Sequence, residues 1–335
     1  MLRFVLKKLL TVAGTMLGLA VLTFLITNVA PGDPARLVAG PEATADMVET
    51  VRREYGLDKP LPVQLAIYLG DLARGDLGTS IVTTRPVLSE IGRYFPATLE
   101  LVLVAMTIGV GLGLPLGILS ALKRDGAIDH LTRILSISGV ALPAFWFGIL
   151  LQLTFAVHLE WLPVSGRLPL SEAPPGTITG LYLVDSLLRG QFETFREALG
   201  HILLPAIVLS FPCLASILRV NRAEMIEALQ SDHVVAARAH GIAPLRIVAV
   251  YALRNALLPT IAMIGLRFGW MLGSTVLVET VFDWPGIGLY AVSSALASDF
   301  KPVVGVTLAI GLCFMTVNIL VDLAYAWIDP RLRAA

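Results

Sequence analysis

The stretch that decides the fold is residues 231–259, SDHVVAARAHGIAPLRIVAVYALRNALLP. The pair Ser231-Asp232 is of the type that caps helix N-termini, and residues 234–240 suit a short helix. Gly241 follows as a stop, where a left-handed backbone is expected, and Pro244 suits the first turn of a second helix. The pattern therefore predicts a short helix, a sharp turn, and a second helix that leads into a longer apolar stretch.

The chain around these residues is strongly apolar. Of its 335 residues, 56% are hydrophobic and the mean hydropathy is +0.78. Charged residues make up 15%, against about 25% in ordinary soluble domains, which is too little charge to solvate a globular surface. The net charge is zero, so no basic excess points to nucleic acid. The composition therefore predicts a protein embedded in a lipid bilayer.

Six stretches with almost no charged residues are each near or above the length of about 20 helical residues that crosses the hydrocarbon core. Alternating segments of about ten residues, typical of membrane barrels, are not seen. We predict an all-α membrane protein with six transmembrane helices, the first of them an uncleaved anchor. The stretches are residues 9–32, 101–122, 134–157, 198–218, 255–278 and 302–321.

The distribution of Lys and Arg predicts the orientation of these helices. In the short loops most of these residues fall on the side of the N-terminus, so both termini are expected in the cytoplasm. The predicted domain organisation is 1–32 (N-terminal segment and first helix), 33–95 (a long external loop region) and 96–335 (a core of five helices). Within that core, 159–197 is external, and the loop 220–254 between the fourth and fifth helices is cytoplasmic.

Prolines recur inside the predicted crossings. Each removes a backbone hydrogen bond and can bend its helix. The residues are Pro115, Pro143, Pro205, Pro212 and Pro259.

No motif for catalysis is present. No lysine is followed by Ser or Thr, which excludes a Walker A loop, and the zinc-protease and serine-hydrolase signatures are missing. The five histidines are scattered, and the two cysteines lie inside apolar runs. We therefore expect no catalytic residue, no metal site and no cofactor on this chain.

The short helix after Ser231 carries small residues flanked by cations. Small side chains would let another protein surface approach the backbone closely, and the cations would suit an acidic partner. An amphipathic helix lying on lipid explains the same pattern, so the residues alone leave both readings open. The small residues are Ala236, Ala237 and Ala239, and the cations are Arg238, Arg246 and Arg254.

Motifs along nearly the whole chain resemble one family. Residues 235–241 and 255–259 resemble the EAA loop of ABC-transporter permeases, although Val235 replaces the glutamate of its name and His240 a common lysine. More narrowly, the chain resembles the dipeptide/oligopeptide/nickel class, and within it the dipeptide branch. The other matching segments are residues 31–34, 56–60, 75–80, 97–101, 162–167, 279–288, 321–325 and 329–331.

This resemblance implies the type I importer permease fold, in which the cytoplasmic loop forms a coupling helix. It implies a second homologous permease, two cytoplasmic ATPase subunits that bind ATP and magnesium, and an external solute-binding protein, at the cytoplasmic membrane of a bacterium. The implied function is ATP-driven import of dipeptides or short oligopeptides. The implied ATPase-coupling residues are Ala236, Ala237, Arg238, Ala239, His240, Gly241, Pro244 and Arg254.

Three alternatives stay open. The first is the same class of importer with another ligand: a nickel chelate, glutathione, an opine or an oligosaccharide. The second is a stand-alone channel or secondary transporter, which would need no loop for an ATPase. The third is an intramembrane enzyme, for which no nucleophile–base or metal pair is evident.

Charged residues within the crossings are candidates for the substrate pathway: Arg267, Glu279 and Asp322. Arg267 lies mid-membrane, where a charge costs about 2.5–3.5 kcal/mol and therefore faces the protein interior or water. It would suit a substrate carboxylate, or form a structural ion pair with Glu100, Glu279, Asp322 or the partner permease. Residues 283–286 after Glu279 predict a turn with an aromatic side chain at the membrane interface.

Overall fold

A computed structural model describes residues 2–29, 34–39, 43–54 and 58–328. These residues form fourteen α-helices and two π-helical segments, and among them there is no β-strand, only an isolated bridge between Thr79 and Pro86. The motif positions 31–33, 56–57 and 329–331 lie outside the described residues.

Five helices are long and apolar enough to cross a membrane, and a bent pair of helices supplies a sixth crossing if it is counted as one span. Five of the six predicted crossings are therefore confirmed by length and composition, and the sixth, at residues 134–157, corresponds to the bent pair. The helices also extend beyond the apolar stretches, because flanking polar residues continue the helical backbone. The long helices are α1 (Leu2–Val29), α5 (Val87–Leu122), α9 (Phe192–Gln230), α12 (Leu253–Val281) and α14 (Phe300–Ile328).

The bent pair consists of α6 (Ala127–Ala141) and α7 (Ala144–Leu151), and a π-helical segment (Gln152–His158) continues α7. The two halves meet at an angle of 108°. Pro143 lies at the break, and Leu142 before it is extended, in agreement with the tendency of a proline to disfavour the helical conformation of the preceding residue. The other four prolines named above lie inside continuous helices.

Short helices occupy the connections. Three lie between α1 and α5: α2 (Pro34–Ala39), α3 (Ala45–Glu54) and α4 (Leu61–Ala73). The others are α8 (Tyr182–Leu188), α10 (Asp232–Ala239), α11 (Pro244–Arg246) with a second π-helical segment (Ile247–Ala252), and α13 (Ile287–Leu296).

The chain divides into two compact units. The first combines Met1–Phe95 with Ile287–Cys313. Its apolar cluster contains Val87, Ile287 and Val306. In the same unit the buried Asp299 accepts hydrogen bonds from the Ser80 hydroxyl (2.6 Å) and from nearby backbone N–H groups, which fixes the loop before α5.

The second unit combines Pro96–Gly286 with Phe314–Ala335, and α9 is its central helix, packed against α6, α8 and α12. Helix α5 approaches α9 through glycines spaced four residues apart, so that they share one helix face. A Cβ added at Gly117 would lie 2.8 Å from the Asn221 Oδ1 atom and 3.0 Å from the Leu218 carbonyl oxygen. Small residues of this kind let two helices pack backbone to backbone. The glycines are Gly109, Gly113 and Gly117, and they face Cys213, Ile217 and Asn221.

Candidate functional site

The short helix predicted after Ser231 is α10. Ser231 occupies the N-cap position, but its hydroxyl donates to the Ala228 carbonyl oxygen (2.5 Å) and does not cap α10. The helix ends at Ala239, and Gly241 follows with φ +70°. The predicted helix and the left-handed stop are therefore both confirmed.

One face of α10 packs against the rest of the chain. Val234 and Ala237 are buried against Ile247 of the second π-helical segment, with Tyr251 partly buried beside them. Because residues three apart share a helix face, both side chains point inward. The prediction that Ala237 lies on a surface open to a partner is therefore wrong, because Ala237 is 5% exposed. Its small side chain instead lets α10 lie close to the following helix.

The opposite face of α10 is exposed, and we refer to it as the outer face. It combines small, apolar and basic side chains, with Val235 56% exposed. Such a surface can dock into a groove that offers apolar walls and acidic side chains. Pro244 and Arg254, which are also predicted coupling residues, follow α10 in the sequence, and both are exposed to solvent. The outer face consists of Val235, Ala236, Arg238, Ala239 and His240.

The second predicted helix begins at Pro244, after Ala243 at the N-cap. It runs as α11, the second π-helical segment and α12 without interruption from Pro244 to Val281. Ala237, on the buried face of α10, packs against Ile247, which belongs to this continuous helical segment. Helix α10, with its outer face, is therefore packed directly against a helix long enough to cross the membrane.

The three candidate pathway residues do not form one cluster. Arg267 and Glu279 lie twelve positions apart on α12, about 18 Å along the axis. Glu279 is fully buried and accepts a hydrogen bond from the Thr98 hydroxyl (2.6 Å). Asp322 is half-buried on α14. In the part of the chain that the structure describes, Arg267 forms no ion pair with either carboxylate.

The turn predicted after α12 is present, but its aromatic side chain is not placed as predicted. Trp284 is 1% exposed, and its indole N–H donates to the Ala97 carbonyl oxygen (2.9 Å). The expectation of an aromatic side chain at the membrane interface is therefore wrong. Asp283 has φ +47° in this turn, which directs the chain so that the ring of Trp284 packs inside the unit.

Comparison with known proteins identifies the family. Residues 113–334, about two thirds of the chain, match the family described as binding-protein-dependent transport system inner membrane component. Residues 1–102 match the N-terminal family of the same membrane components. The chain belongs to this family. It is a multi-pass inner membrane permease.

Several curated relatives match the permease over nearly their full length. A probable D,D-dipeptide transport system permease protein of Escherichia coli is 48% identical, covering 94% of this chain and 93% of the relative. A dipeptide transport system permease protein of the same species is 39% identical, covering 99% of each chain. A glutathione transport system permease protein of Pectobacterium atrosepticum is also 39% identical, covering 99% of each. A solved chain of an inward-facing MetNI methionine ABC transporter has a TM-score of 0.49 and 15% identity, covering 70% of this chain and 93% of that chain.

The permease contains a charge network around a buried carboxylate that the sequence did not predict. Asp129 of α6 is fully buried and accepts hydrogen bonds from Arg222 of α9 (2.8 Å), Arg133 (2.8 Å) and the Ser120 hydroxyl (2.6 Å). Arg133 lies one turn from Asp129 on the same helix, and this spacing alone could have predicted their ion pair. Arg222 is 93 positions away, and no sequence pattern indicates its contact. The network joins α5, α6 and α9.

A second buried network fastens the connection between the bent helix pair and α9. Arg167 forms an ion pair with Glu100 of α5, donates to the Gly180 carbonyl oxygen (3.2 Å), and lies 3.5 Å from the Tyr182 ring centroid. Glu100 also accepts the Leu183 N–H (2.7 Å). Glu100, considered above as a partner of Arg267, is therefore committed to Arg167.

A third carboxylate, Asp185 of α8, holds the preceding loop. It is fully buried and accepts hydrogen bonds from the Thr179 hydroxyl (2.7 Å) and from the backbone N–H groups of Ile178, Thr179 and Gly180. Burial alone would raise the pKa of Asp185, but these hydrogen bonds stabilise the charged form and hold its pKa below the usual value.

We expect Asp185→Ala to loosen residues 176–184, because it leaves buried backbone N–H groups without an acceptor, at a cost of about 1–3 kcal/mol. Faster amide hydrogen exchange in this loop at pH 7 checks the prediction, with exchange elsewhere unchanged. Replacing the exposed Asp58 by alanine is the control. Unchanged exchange in the Asp185 variant would contradict the assigned role.

The same carboxylate gives the loop a pH dependence. Since the folded pKa is lowered, its stabilising contribution is complete above the unfolded pKa of about 3.9 and is lost as pH falls through the lower folded value. Acidification of the wild-type permease in this range should therefore reproduce the loosening of the alanine variant.

Proposed function

We propose that this chain is the permease subunit of an ATP-driven importer of dipeptides or short oligopeptides. One observation carries the proposal: relatives named as dipeptide permeases match it over at least 93% of their length, at 36–48% identity. In this proposal the chain forms the translocation pathway with a second, homologous permease, and it hydrolyses no ATP itself.

The proposed orientation places both termini and α10 in the cytoplasm, in agreement with the distribution of Lys and Arg in the short loops. Two ATPase subunits, which hold ATP and magnesium, would receive the outer face of α10 and that of the partner permease. The mixture of small and basic side chains on the outer face supports docking into a groove. The remaining proposed contacts are Gly241, Pro244 and Arg254 around this face.

The buried face of α10 supplies a route for coupling. Closure of the ATPase pair on binding ATP would move α10, and the packing of Ala237 against Ile247 would carry that motion into α12. The helices would then open toward the external side. A solute-binding protein docked on 33–95 and 159–197 would release its ligand into the pathway, on which we place Arg267, with Glu279 and Asp322 as further candidates.

Glutathione is the second candidate ligand, since the glutathione permease relative is as similar as one of the dipeptide permeases. Purification of the chain from its native membrane, followed by reconstitution with its co-purifying subunits and binding protein, tests both. Uptake of a dipeptide, including a D,D-dipeptide, that depends on ATP supports the proposal. Uptake of glutathione alone selects the second candidate. A chain that purifies without ATPase subunits and transports solute by itself would overturn both.

We expect Ala239→Trp to abolish co-purification of the ATPase subunits, because an indole on the outer face prevents close approach of another surface. The chain should still insert and fold, since Ala239 is exposed and does not belong to the buried cluster of Val234, Ala237 and Ile247. Ala127→Trp, an exposed alanine at the start of α6, serves as control. Normal co-purification of the Ala239 variant would remove the assignment of α10 as the coupling helix.

A further inference from the structure

Helix α4 exposes an apolar surface. No residue of α4 is buried among the residues that the structure describes, and every exposed residue of this helix is apolar. Val63 and Ile67 are 44% and 43% exposed, whereas the polar residues Gln64 and Asp71 are partly buried. Six of the exposed residues recur at helical spacing along one side, which we call the apolar face. They are Pro62, Val63, Ala66, Ile67, Gly70 and Ala73.

Helix α3, which precedes α4 in the same unit, has a different surface. Its exposed residues include the charged Asp46 and Arg53, and the Glu49 carboxylate forms ion pairs with Arg52 (3.4 Å) and Arg53 (3.5 Å). Such a helix is solvated by water. An exposed helix face without any polar side chain instead indicates contact with lipid or with another protein. The apolar face is therefore a property of α4 and not of the short helices of this region generally.

The length of α4 narrows the choice. The helix has 13 residues and extends about 20 Å, which is too short to cross the hydrocarbon core of about 30 Å. Apolar helices of this length are typically buried core helices, or they are interfacial or re-entrant segments of a membrane protein. Because the described residues bury no residue of α4, the first possibility does not apply. The other two both bring the helix into contact with lipid.

Helix α4 is attached to a membrane-spanning helix close to the end of its apolar span. The Tyr68 ring of α4 stacks on the Phe24 ring of α1, with the centroids 5.6 Å apart. The span in α1 is Leu10–Thr27, so Phe24 lies about 4.5 Å from its end along the axis. Leu22 and Ile26, on either side of Phe24 in the sequence, are exposed. The contact therefore places α4 at the depth where the hydrocarbon core meets the headgroups, beside other exposed apolar side chains.

We infer that α4 lies in the membrane interface, with its apolar face against the acyl chains of phospholipids. Lys59 precedes the helix and Arg74 follows it, and both are exposed, as suits side chains that reach lipid phosphates. A protein-binding surface is typically centred on aromatic or arginine side chains, and the apolar face has neither. The inference goes beyond the proposed function, since it holds for any transported ligand, and it ties the region 33–95 to the bilayer.

The test measures which solvent surrounds the apolar face. Single spin labels are attached to Val63→Cys, Ile67→Cys and the control Thr50→Cys, an exposed position of α3, after Cys213 and Cys313 are replaced by alanine. The permease with its co-purifying subunits is reconstituted in vesicles of phosphatidylethanolamine and phosphatidylglycerol, without a solute-binding protein. Collisions with oxygen, which concentrates in hydrocarbon, should exceed collisions with a water-soluble nickel chelate severalfold at residues 63 and 67. At residue 50 the order should be reversed.

Two results would overturn the inference. Frequent collisions with the chelate at residues 63 and 67 would show that water covers the apolar face. Rare collisions with both reagents would show that a protein covers it, such as the second permease. A second variant tests whether the label alone seeks lipid: adding Ile67→Asp should shift the label at residue 63 toward the chelate, whereas adding Thr50→Asp should not. Equal behaviour of these two variants would also contradict the lipid contact.

Discussion

Replacing Gly117 by leucine should prevent α5 from packing against α9 and leave little folded permease. The added Cβ would lie 2.8 Å from the Asn221 side chain and 3.0 Å from the Leu218 carbonyl oxygen, and the rest of the side chain would enter the same space. Because a backbone atom of a continuous helix cannot move aside alone, the helices must separate. We expect a loss at or above the upper end of the about 1–3 kcal/mol that overpacking usually costs.

The control for this prediction is the same change on the same helix. Gly111 is exposed, and a Cβ added there meets no atom within 4 Å. Gly111→Leu should therefore leave the thermal unfolding temperature in detergent nearly unchanged, whereas Gly117→Leu should lower it sharply and expose the chain to trypsin. Equal stability of the two variants would show that the glycine face of α5 does not determine the packing.

Removal of the Glu100 side chain should have the second large effect. Glu100→Ala leaves the guanidinium of Arg167 buried and unpaired, which costs about 3–5 kcal/mol. It also removes the acceptor of the Leu183 N–H. We expect a lower unfolding temperature and rapid proteolysis between the bent helix pair and α9.

Two further variants separate the charge from the shape of this site. Glu193→Ala removes an exposed glutamate of α9 and should change little. The double variant Glu100→Leu with Arg167→Met removes both charges, and it should recover much of the lost stability, since apolar replacements of buried pairs are often neutral or stabilising. If the double variant were less stable than Glu100→Ala, the unpaired cation would not be the cause.

Features of the fold that depend on a single segment could be predicted from the sequence. The apolar stretches predict the helices that are long enough to span the membrane. Gly241 predicts the end of α10, and Pro244 predicts the start of the next helix. Such features follow from the length, backbone conformation and hydropathy of neighbouring residues. Pro143 shows the limit, because the sequence offered five equivalent prolines and only the structure identifies the one at the break.

Features that depend on distant segments could not be predicted. The small neighbours of Ala237 predict an open surface, but the side chain faces Ile247. Trp284 suited the membrane interface by residue type, yet a carbonyl group of α5 receives its N–H. The charge partners of Asp129 and Glu100 are set by helix packing across 93 and 67 positions. The roles of the coupling residues and of the candidate pathway residues likewise depend on more than their local sequence, and these roles stay predictions.

The Asp129 network also bears on how the protein is made. A ribosome completes α6 long before it reaches Arg222, so during synthesis the Asp129 carboxylate lacks this second cation and relies on Arg133, the Ser120 hydroxyl and the Asp125 N–H. Its burial is finished only when α9 arrives, which makes the docking of α6 a late step of biogenesis. Chains that end between these helices would retain an Asp129 carboxylate without its Arg222 partner.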